Sequence, residues 1–61
     1  MANKYTNARY REITAYLKDH EKASVEELSE LLFVSPATIR RDLSDMQKLG
    51  MIQRTHGGAM L

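Results

Sequence analysis

Two adjacent arginines, Arg40 and Arg41, are the first residues in the sequence whose types suggest a chemistry. Arginine carries a planar fork of donors, which can bind a phosphate or the O6 and N7 acceptors of a guanine. Residues with small side chains or hydroxyl groups surround the pair, at positions 35, 37, 38 and 44. An arginine pair alone is more often a solvated part of a helix surface. The residues around the pair therefore decide whether it is a binding site.

The pair lies in a predicted helix that runs from Pro36 to about Leu49. Ser35 suits the N-cap position and proline suits the first helical position, where a missing N–H leaves nothing unsatisfied. Gly50 suits the end of the helix, because glycine adopts the left-handed conformation without strain. At about 100° per residue, apolar side chains share one side of this helix: Ile39, Leu43, Met46 and Leu49. Asp42 lies near the edge of that side and is expected to hold a neighbour within the protein.

The opposite side of the helix carries a line of small and basic residues, Ala37, Arg41, Ser44 and Lys48. The DNA major groove is about 12 Å wide and admits an α-helix whose contacting side chains are not too bulky. We therefore predict that this helix, 36–49, enters the major groove and that Arg41 faces a guanine or a phosphate. Phosphate contacts are expected beside this line, near the positive end of the helix dipole, from Ser35, Thr38 and Arg40, and Pro36 is expected to lie at the DNA with them.

Two further helices are predicted to support the reading helix. The first runs from about Asn7 to Asp19, with Thr6 or Asn7 as its cap, and the second from Val25 to about Leu32, opened by a capping box between Ser24 and Glu27. The side chains expected to point inward are Tyr10, Ile13, Tyr16, Leu17, Val25, Leu28, Leu31 and Leu32. Phe33 and Val34 form the turn before the reading helix.

The pattern changes after Gly50 to that of a β-hairpin. Residues 51–55 are predicted to form one strand, 56–58 the turn and 59–61 the returning strand, with both turn glycines supplying positive φ values. Arg54 is expected to contact a phosphate, while His56 is either a DNA contact or simply a turn residue. The predicted fold is mainly α with a small β-hairpin, a winged helix-turn-helix with a three-helix core and a wing.

Composition narrows the classes of function. The chain has 61 residues, no cysteine and two histidines far apart, His20 and His56. We therefore expect one small domain without a disulfide, metal site, cofactor or catalytic centre. No segment approaches the roughly 20 apolar residues that span a bilayer, and the start lacks the apolar core of a secretory signal. The expected location is the cytoplasm.

Charge is unevenly distributed along the chain, although the net charge is only +1. Residues 1–18 contain four basic and one acidic side chain, residues 19–34 one basic and five acidic, and residues 35–61 four basic and two acidic. This order permits a basic surface on one side of the folded domain. The acidic second helix is interpreted as a solvated face, with a partner surface as the alternative.

The strings Thr-Ile-Arg-Arg-Asp-Leu, at 38–43, and His-Gly-Gly-Ala, at 56–59, carry a resemblance to a known family. Together with Ser24-Val25-Glu26-Glu27-Leu28 they resemble the N-terminal domain of DeoR-type transcriptional regulators, over about residues 6–61. The resemblance implies a helix-turn-helix at about 23–42 and a wing at about 51–61.

The same resemblance implies a bacterial regulator that binds double-stranded operator DNA, typically to repress a sugar-utilisation operon. It also implies a larger C-terminal domain, absent from this chain, that binds a phosphorylated sugar and oligomerises. The alternative from another class is a winged-helix module that docks a protein without binding specific DNA. A binder of single-stranded RNA is disfavoured, because no aromatic platform for bases is apparent.

Overall fold

A computed structural model describes residues 7–61 of the chain. It contains three α-helices, α1 (Ala8–His20), α2 (Val25–Leu32) and α3 (Pro36–Lys48), and three short strands, β1 (Lys22–Ser24), β2 (Gln53–Thr55) and β3 (Gly58–Met60). The predicted winged helix-turn-helix fold is confirmed, and each predicted helix lies within one residue of its expected bounds. None of these helices is long and apolar enough to cross a membrane. Thr6, one of the two predicted caps of α1, lies outside the described residues.

Each helix begins at a side chain that accepts a hydrogen bond from the first turn. Asn7 accepts the amide of Arg9 at 2.8 Å in α1. Ser24 accepts the amide of Glu27 at 3.0 Å in α2, and the carboxylate of Glu27 accepts the amide of Ser24 in return, as the capping box requires. Ser35 accepts the amide of Thr38 at 3.2 Å in α3. The sequence therefore fixes all three starting points through local polar contacts.

The far ends of α2 and α3 are built differently. Gly50, with φ of +76°, follows α3, and the amides of Gly50 and Met51 donate back to the carbonyls of Gln47 and Met46. This double closure is a Schellman motif, in which glycine adopts the left-handed conformation without a steric penalty. α2 ends on Phe33, whose φ is also positive, at 57°, although it carries a bulky side chain.

The core lies between the three helices and the sheet. Its members are Tyr10, Ile13, Leu17, Ala23, Val25, Leu28, Ile39, Leu43, Met46, Ile52 and Ala59. Of the side chains predicted to point inward, Leu31 differs, since it is 44% exposed, while Tyr16 and Leu32 are half-buried against the edge of the core. Leu31 borders an open groove between α2 and α1, opposite Ala15 and Tyr16. The helical spacing therefore predicts buried side chains correctly in the first half of α2, at Val25 and Leu28, and overestimates burial in its second half.

The sheet has a third strand that the sequence analysis did not predict. β3 lies between β1 and β2 and pairs antiparallel with both, in the order β1-β3-β2. Residues Lys22–Ser24, expected to be a polar end of the first helical pattern and a cap, form this strand by pairing with Gly58–Met60. Backbone pairing with a segment distant in sequence, rather than side-chain pattern, makes them a strand.

The two glycines after His56 have different roles, which corrects the prediction that both supply positive φ. Gly57 has φ of +82° and occupies the turn, while Gly58 belongs to β3 and is not in the left-handed region. A Cβ at Gly58 would lie 2.0 Å from the carbonyl oxygen of Ala23. Gly58 is therefore needed for close contact between strands. The turn is also held to α2, since the amide of Val25 donates to the carbonyl of Gly57 at 2.9 Å.

Candidate nucleic-acid interface

The inner and outer sides of α3 have opposite characters. Ile39, Asp42, Leu43 and Met46 are buried against the rest of the protein. The outer side carries residues that the sequence predicted to form the reading line: Ala37, Arg41 and Lys48 are exposed, and Ser44 is half-buried. The helix is thus held through one side and presents short and basic side chains on the other.

The remaining predicted contact residues surround this line. Ser35, Pro36 and Arg40 are exposed and Thr38 is half-buried. In the wing, Arg54 and His56 are both exposed. The structure therefore brings eight of the ten predicted residues together on or beside α3, and places the other two on β2 and on the turn that follows it. Contact with DNA remains a prediction for each of them.

The first turn of α3 offers fewer free donors than its sequence suggests. Pro36 has no N–H, and the amides of Thr38 and Ile39 donate to the side chain and the carbonyl of Ser35, at 3.2 and 3.1 Å. Among the described residues, the amide of Ala37 is the one first-turn donor of α3 without an intramolecular acceptor. The hydroxyls of Ser35 and Thr38 lie 3.0 Å apart and hydrogen-bond each other. An anion here would meet one amide, two hydroxyls and the positive end of the helix dipole.

Two contacts fix α3 against α1. The guanidinium of Arg9 binds the buried carboxylate of Asp42 through two hydrogen bonds, Nε to Oδ2 at 2.6 Å and Nη2 to Oδ1 at 3.1 Å. This bidentate bond and the carboxylate charge raise the pKa of Arg9. The hydroxyl of Tyr10 donates to Asp45 at 3.3 Å, and burial, followed by the charge of Asp45, raises the pKa of Tyr10. The prediction that Asp42 holds a neighbour within the protein is confirmed.

The outer face of α2 is acidic, and the capping box between Ser24 and Glu27 occupies its first turn. Glu27 accepts the amide of Ser24 at 3.0 Å and the hydroxyl of Tyr16 at 2.8 Å. The Ser24 bond, followed by the Tyr16 bond, lowers the pKa of Glu27, and the same contact raises the pKa of Tyr16. The imidazole of His20 stacks on Tyr16 with ring centroids 4.0 Å apart. These contacts tie α1 to α2 and keep a carboxylate at the start of α2.

A side-chain hydrogen bond joins α3 to the wing. The backbone amide of Arg54 donates to Oε1 of Gln47 at 2.8 Å. Sequence reasoning assigned no role to Gln47, because an exposed glutamine near a helix end carries no pattern of its own. It also left the partner of Asp42 unnamed, since Arg9 lies on another helix. Both contacts depend on the way the helices and the wing pack together.

The described residues contain no group of three or more histidine or acidic side chains that could hold a metal ion. The open groove between the end of α1, β1 and the wing turn contains both histidines, His20 and His56, together with Glu21 and Glu27. Its charges are mixed. The exposed line on α3 is therefore the surface with the clearest chemical character.

Comparison with known proteins agrees with this geometry. Residues 9–61 match the family described as the DeoR-like helix-turn-helix domain. The chain is 48% identical over 52 residues to the HTH-type transcriptional regulator GlpR of Haloferax volcanii, covering 85% of the chain and 20% of that protein. It is 48% identical over 52 residues to the L-fucose operon activator of Escherichia coli, covering 85% of the chain and 21% of the activator.

The glycerol-3-phosphate regulon repressor of Escherichia coli is 45% identical over 53 residues, covering 87% of the chain and 21% of the repressor. The chain therefore spans about a fifth of the length of the curated relatives it matches. No solved structure matches it significantly.

Proposed function

The chain belongs to the DeoR-like helix-turn-helix family, and from this premise we propose that it binds double-stranded DNA in a sequence-specific manner as part of a transcriptional regulator. The observation that carries the proposal is the division of α3 into a buried inner side and an exposed outer line of small and basic residues. A helix held in this way can enter the major groove without losing its contacts to the core.

Within this proposal the residues have different tasks. Arg41 points into the groove between the small side chains of Ala37 and Ser44, and Lys48 extends the line toward the end of the helix. Arg40 and the first turn of α3 contact phosphates, which set the orientation of the helix without reading sequence. In the wing, Arg54 contacts a phosphate and His56 lies beside the duplex.

The proposed regulator acts in the cytoplasm, where a bacterial operator lies, and its own chemistry is binding rather than catalysis. The relatives are named for a glycerol-3-phosphate regulon and an L-fucose operon. These names support a regulator of sugar-utilisation genes. We further propose that the whole regulator responds to a phosphorylated sugar and acts as a homo-oligomer. One relative is named an activator and another a repressor. We propose repression, and a promoter–reporter fusion with and without the regulator would decide the direction.

A fluorescence-anisotropy titration tests the DNA-binding proposal. The domain is titrated with a duplex from the promoter region of its own gene and with a scrambled duplex of equal length, at several salt concentrations. We expect tighter binding to the promoter duplex, with an affinity that falls as salt rises because bound phosphates release counterions. Equal affinity for the two duplexes at every salt concentration would rule out sequence-specific binding.

Arg41→Ala sharpens the test. If Arg41 reads a guanine, the substitution costs about 1–3 kcal/mol in binding free energy and relaxes specificity at one position. A uniform loss across sequences would instead identify Arg41 as a phosphate contact. The matched control is Arg11→Ala, which removes an exposed arginine from α1 and is expected to leave specificity unchanged.

A further inference from the structure

The link between α3 and the wing lies at an exposed strand edge. β2 is at one edge of the sheet, because the strand order is β1-β3-β2. Arg54 is paired with Ala59 in the register, but its amide donates outward to Oε1 of Gln47 rather than across to β3. The side chain of Gln47 therefore covers a backbone donor that an edge strand would otherwise leave to solvent.

The wing as a whole is anchored by the pairing of β3 with β1 and by the burial of Ile52 and Ala59 in the core. Strand β2 itself is less firmly held. The strand is three residues long, and its first two residues, Gln53 and Arg54, are exposed. An edge strand this short gains little stability from its own burial and pairs with only one neighbour, β3. In contrast, the part of α3 that carries Gln47 is fixed by Leu43 and Met46, both fully buried. The side-chain oxygen of Gln47 thus couples the backbone at Arg54 to α3, in addition to the pairing of β2 with β3.

Gln47 also lies on a particular flank of α3. Two turns of an α-helix take about 7.2 residues, so Arg40 and Gln47 lie nearly in line along the axis, roughly 10 Å apart. Arg40 is exposed on the flank of the outward line, and Arg54 is exposed in the strand that Gln47 holds. The two arginines consequently lie on the same side of the outward line.

We infer that Gln47 is a positioning residue for DNA binding. By accepting the Arg54 amide, it places the guanidinium of Arg54 beside the phosphate strand that Arg40 contacts, so that helix and wing bind one strand as a unit. The inference rests on the proposed function, which supplies the DNA, and it assigns to Gln47 a role that requires no contact with DNA itself.

The test compares Gln47→Met, which keeps the length of the side chain but removes the acceptor, with Gln53→Met in β2. Gln53 is a matched control because it is an exposed glutamine next to Arg54. Each variant is titrated with the promoter duplex at several salt concentrations, alone and combined with Arg54→Ala. Amide hydrogen exchange of Arg54 in the DNA-free domain reports the hydrogen bond directly.

For Gln47→Met we expect a three- to tenfold loss of affinity, a salt slope smaller by about one, and faster exchange of the Arg54 amide. In the Arg54→Ala background the same substitution should have no further effect on affinity, whereas a merely structural role would still reduce it. Gln53→Met should leave affinity and slope unchanged. Gln47→Asn, which is one methylene shorter and cannot reach the amide, should repeat these losses if the methionine variant does not fold.

Equal losses with and without Arg54 would overturn the positioning role, and so would an Arg54 amide that exchanges equally fast in the unsubstituted domain and in Gln47→Met. Either result leaves the DNA-binding proposal intact. If the unsubstituted domain fails to distinguish promoter from scrambled duplex, the proposed function fails first and the role of Gln47 fails with it. The two failures are therefore separable.

Discussion

Helices α2 and α3 begin in the same way but face solvent with different charges. Each is capped by a serine whose hydroxyl accepts the amide three residues later. In α2 that third residue is Glu27, which closes the box, and Glu26 adds a second carboxylate to the first turn. In α3 the third residue is Thr38, and the first turn contains no acid. Since the N-terminus of a helix attracts anions, the difference makes the start of α3, rather than that of α2, the place where we propose that a phosphate binds.

The two helices also end differently. α3 ends on a glycine in the left-handed conformation and α2 on a phenylalanine in the same conformation, 93% exposed. A serine N-cap is therefore common to both helices and does not by itself mark the one that carries the proposed DNA contacts. The first-turn charges are what distinguish α3, for which we propose DNA contact, from α2, which supports it.

The largest expected effect comes from making the start of α3 resemble that of α2. Thr38→Glu would complete a capping box with Ser35 and place a carboxylate where a phosphate is proposed to bind. The domain should melt at a higher temperature, while affinity for the promoter duplex should fall by about 3 kcal/mol, roughly a hundredfold, because like charges meet. Circular dichroism and anisotropy titration measure the two effects.

The control for this prediction is Ala15→Glu, which adds the same charge to an exposed position of α1. It should lower affinity only slightly. If Thr38→Glu and Ala15→Glu weaken binding equally, only net charge matters and the start of α3 does not lie against a phosphate.

The second effect concerns the buried charge that α3 has and α2 lacks. Asp42→Asn keeps the shape of the side chain but replaces the charged acceptor of the Arg9 fork with a neutral amide. We expect the free energy of unfolding to fall by about 1.5 kcal/mol, near the low end for hydrogen bonds to charged groups, because the Arg9 side chain is 41% exposed. Urea denaturation measures this loss.

Asp45→Asn is the comparison for that variant, because its partner is the neutral hydroxyl of Tyr10 at 3.3 Å. It should cost less. Equal losses from the two substitutions would mean that the charge of Asp42 contributes nothing beyond a hydrogen bond of ordinary strength.

A third effect arises at the end of α2. Phe33→Asn replaces a bulky residue in the left-handed conformation with one that tolerates it, and the lost aromatic ring buries almost nothing. The free energy of unfolding should rise by about 1 kcal/mol. The reverse experiment is Gly50→Ala. A Cβ at this position meets no atom within 4 Å, so only the positive φ opposes it. We expect the free energy of unfolding to fall by a similar amount. No gain from Phe33→Asn would show that the aromatic ring holds the turn in the folded state.

The smallest effect is a pH dependence confined to α2. The pKa of Glu27 lies below its ordinary value of 4.5 in the folded domain, chiefly because its carboxylate accepts the Ser24 amide. Its contribution to stability is therefore fully present above about pH 4.5 and is lost as pH falls through the lower, folded value. In thermal melts between about pH 3 and about pH 6, the melting temperature should fall more steeply with acid for the unsubstituted domain than for Glu27→Gln. Parallel curves would contradict the assignment.

Much of α3 could be predicted from local sequence. Ser35, Pro36 and Gly50 each act within one or two turns of the backbone, so their residue types suffice to place the helix. The side on which Arg41 lies follows from helical periodicity alone. The buried side of α3 was predictable for the same reason, because Ile39, Leu43 and Met46 repeat at helical spacing.

The features that escaped prediction depend on residues far apart in the chain. Lys22–Ser24 is too short for its order of polar, apolar and polar residues to predict a strand, and it becomes one by pairing with Gly58–Met60. The steric role of Gly58 requires knowing that Ala23 lies against it. In the same way, Gln47 acquires its function from the path of β2. Local chemistry specifies the elements, and the way they pack specifies the contacts between them.

The pairing of β1 with β3 has a consequence for how the domain acquires its structure. Each helix is closed by contacts within a few residues, whereas β3, the central strand of the sheet, follows all three helices and pairs with residues ahead of α2. Closing so long a loop carries an entropic cost that local turns avoid, and non-local pairing slows folding. During synthesis the helices can therefore form first, and the sheet is completed only after Met60 has left the ribosome. In this order of assembly the wing follows α3, the helix that it accompanies.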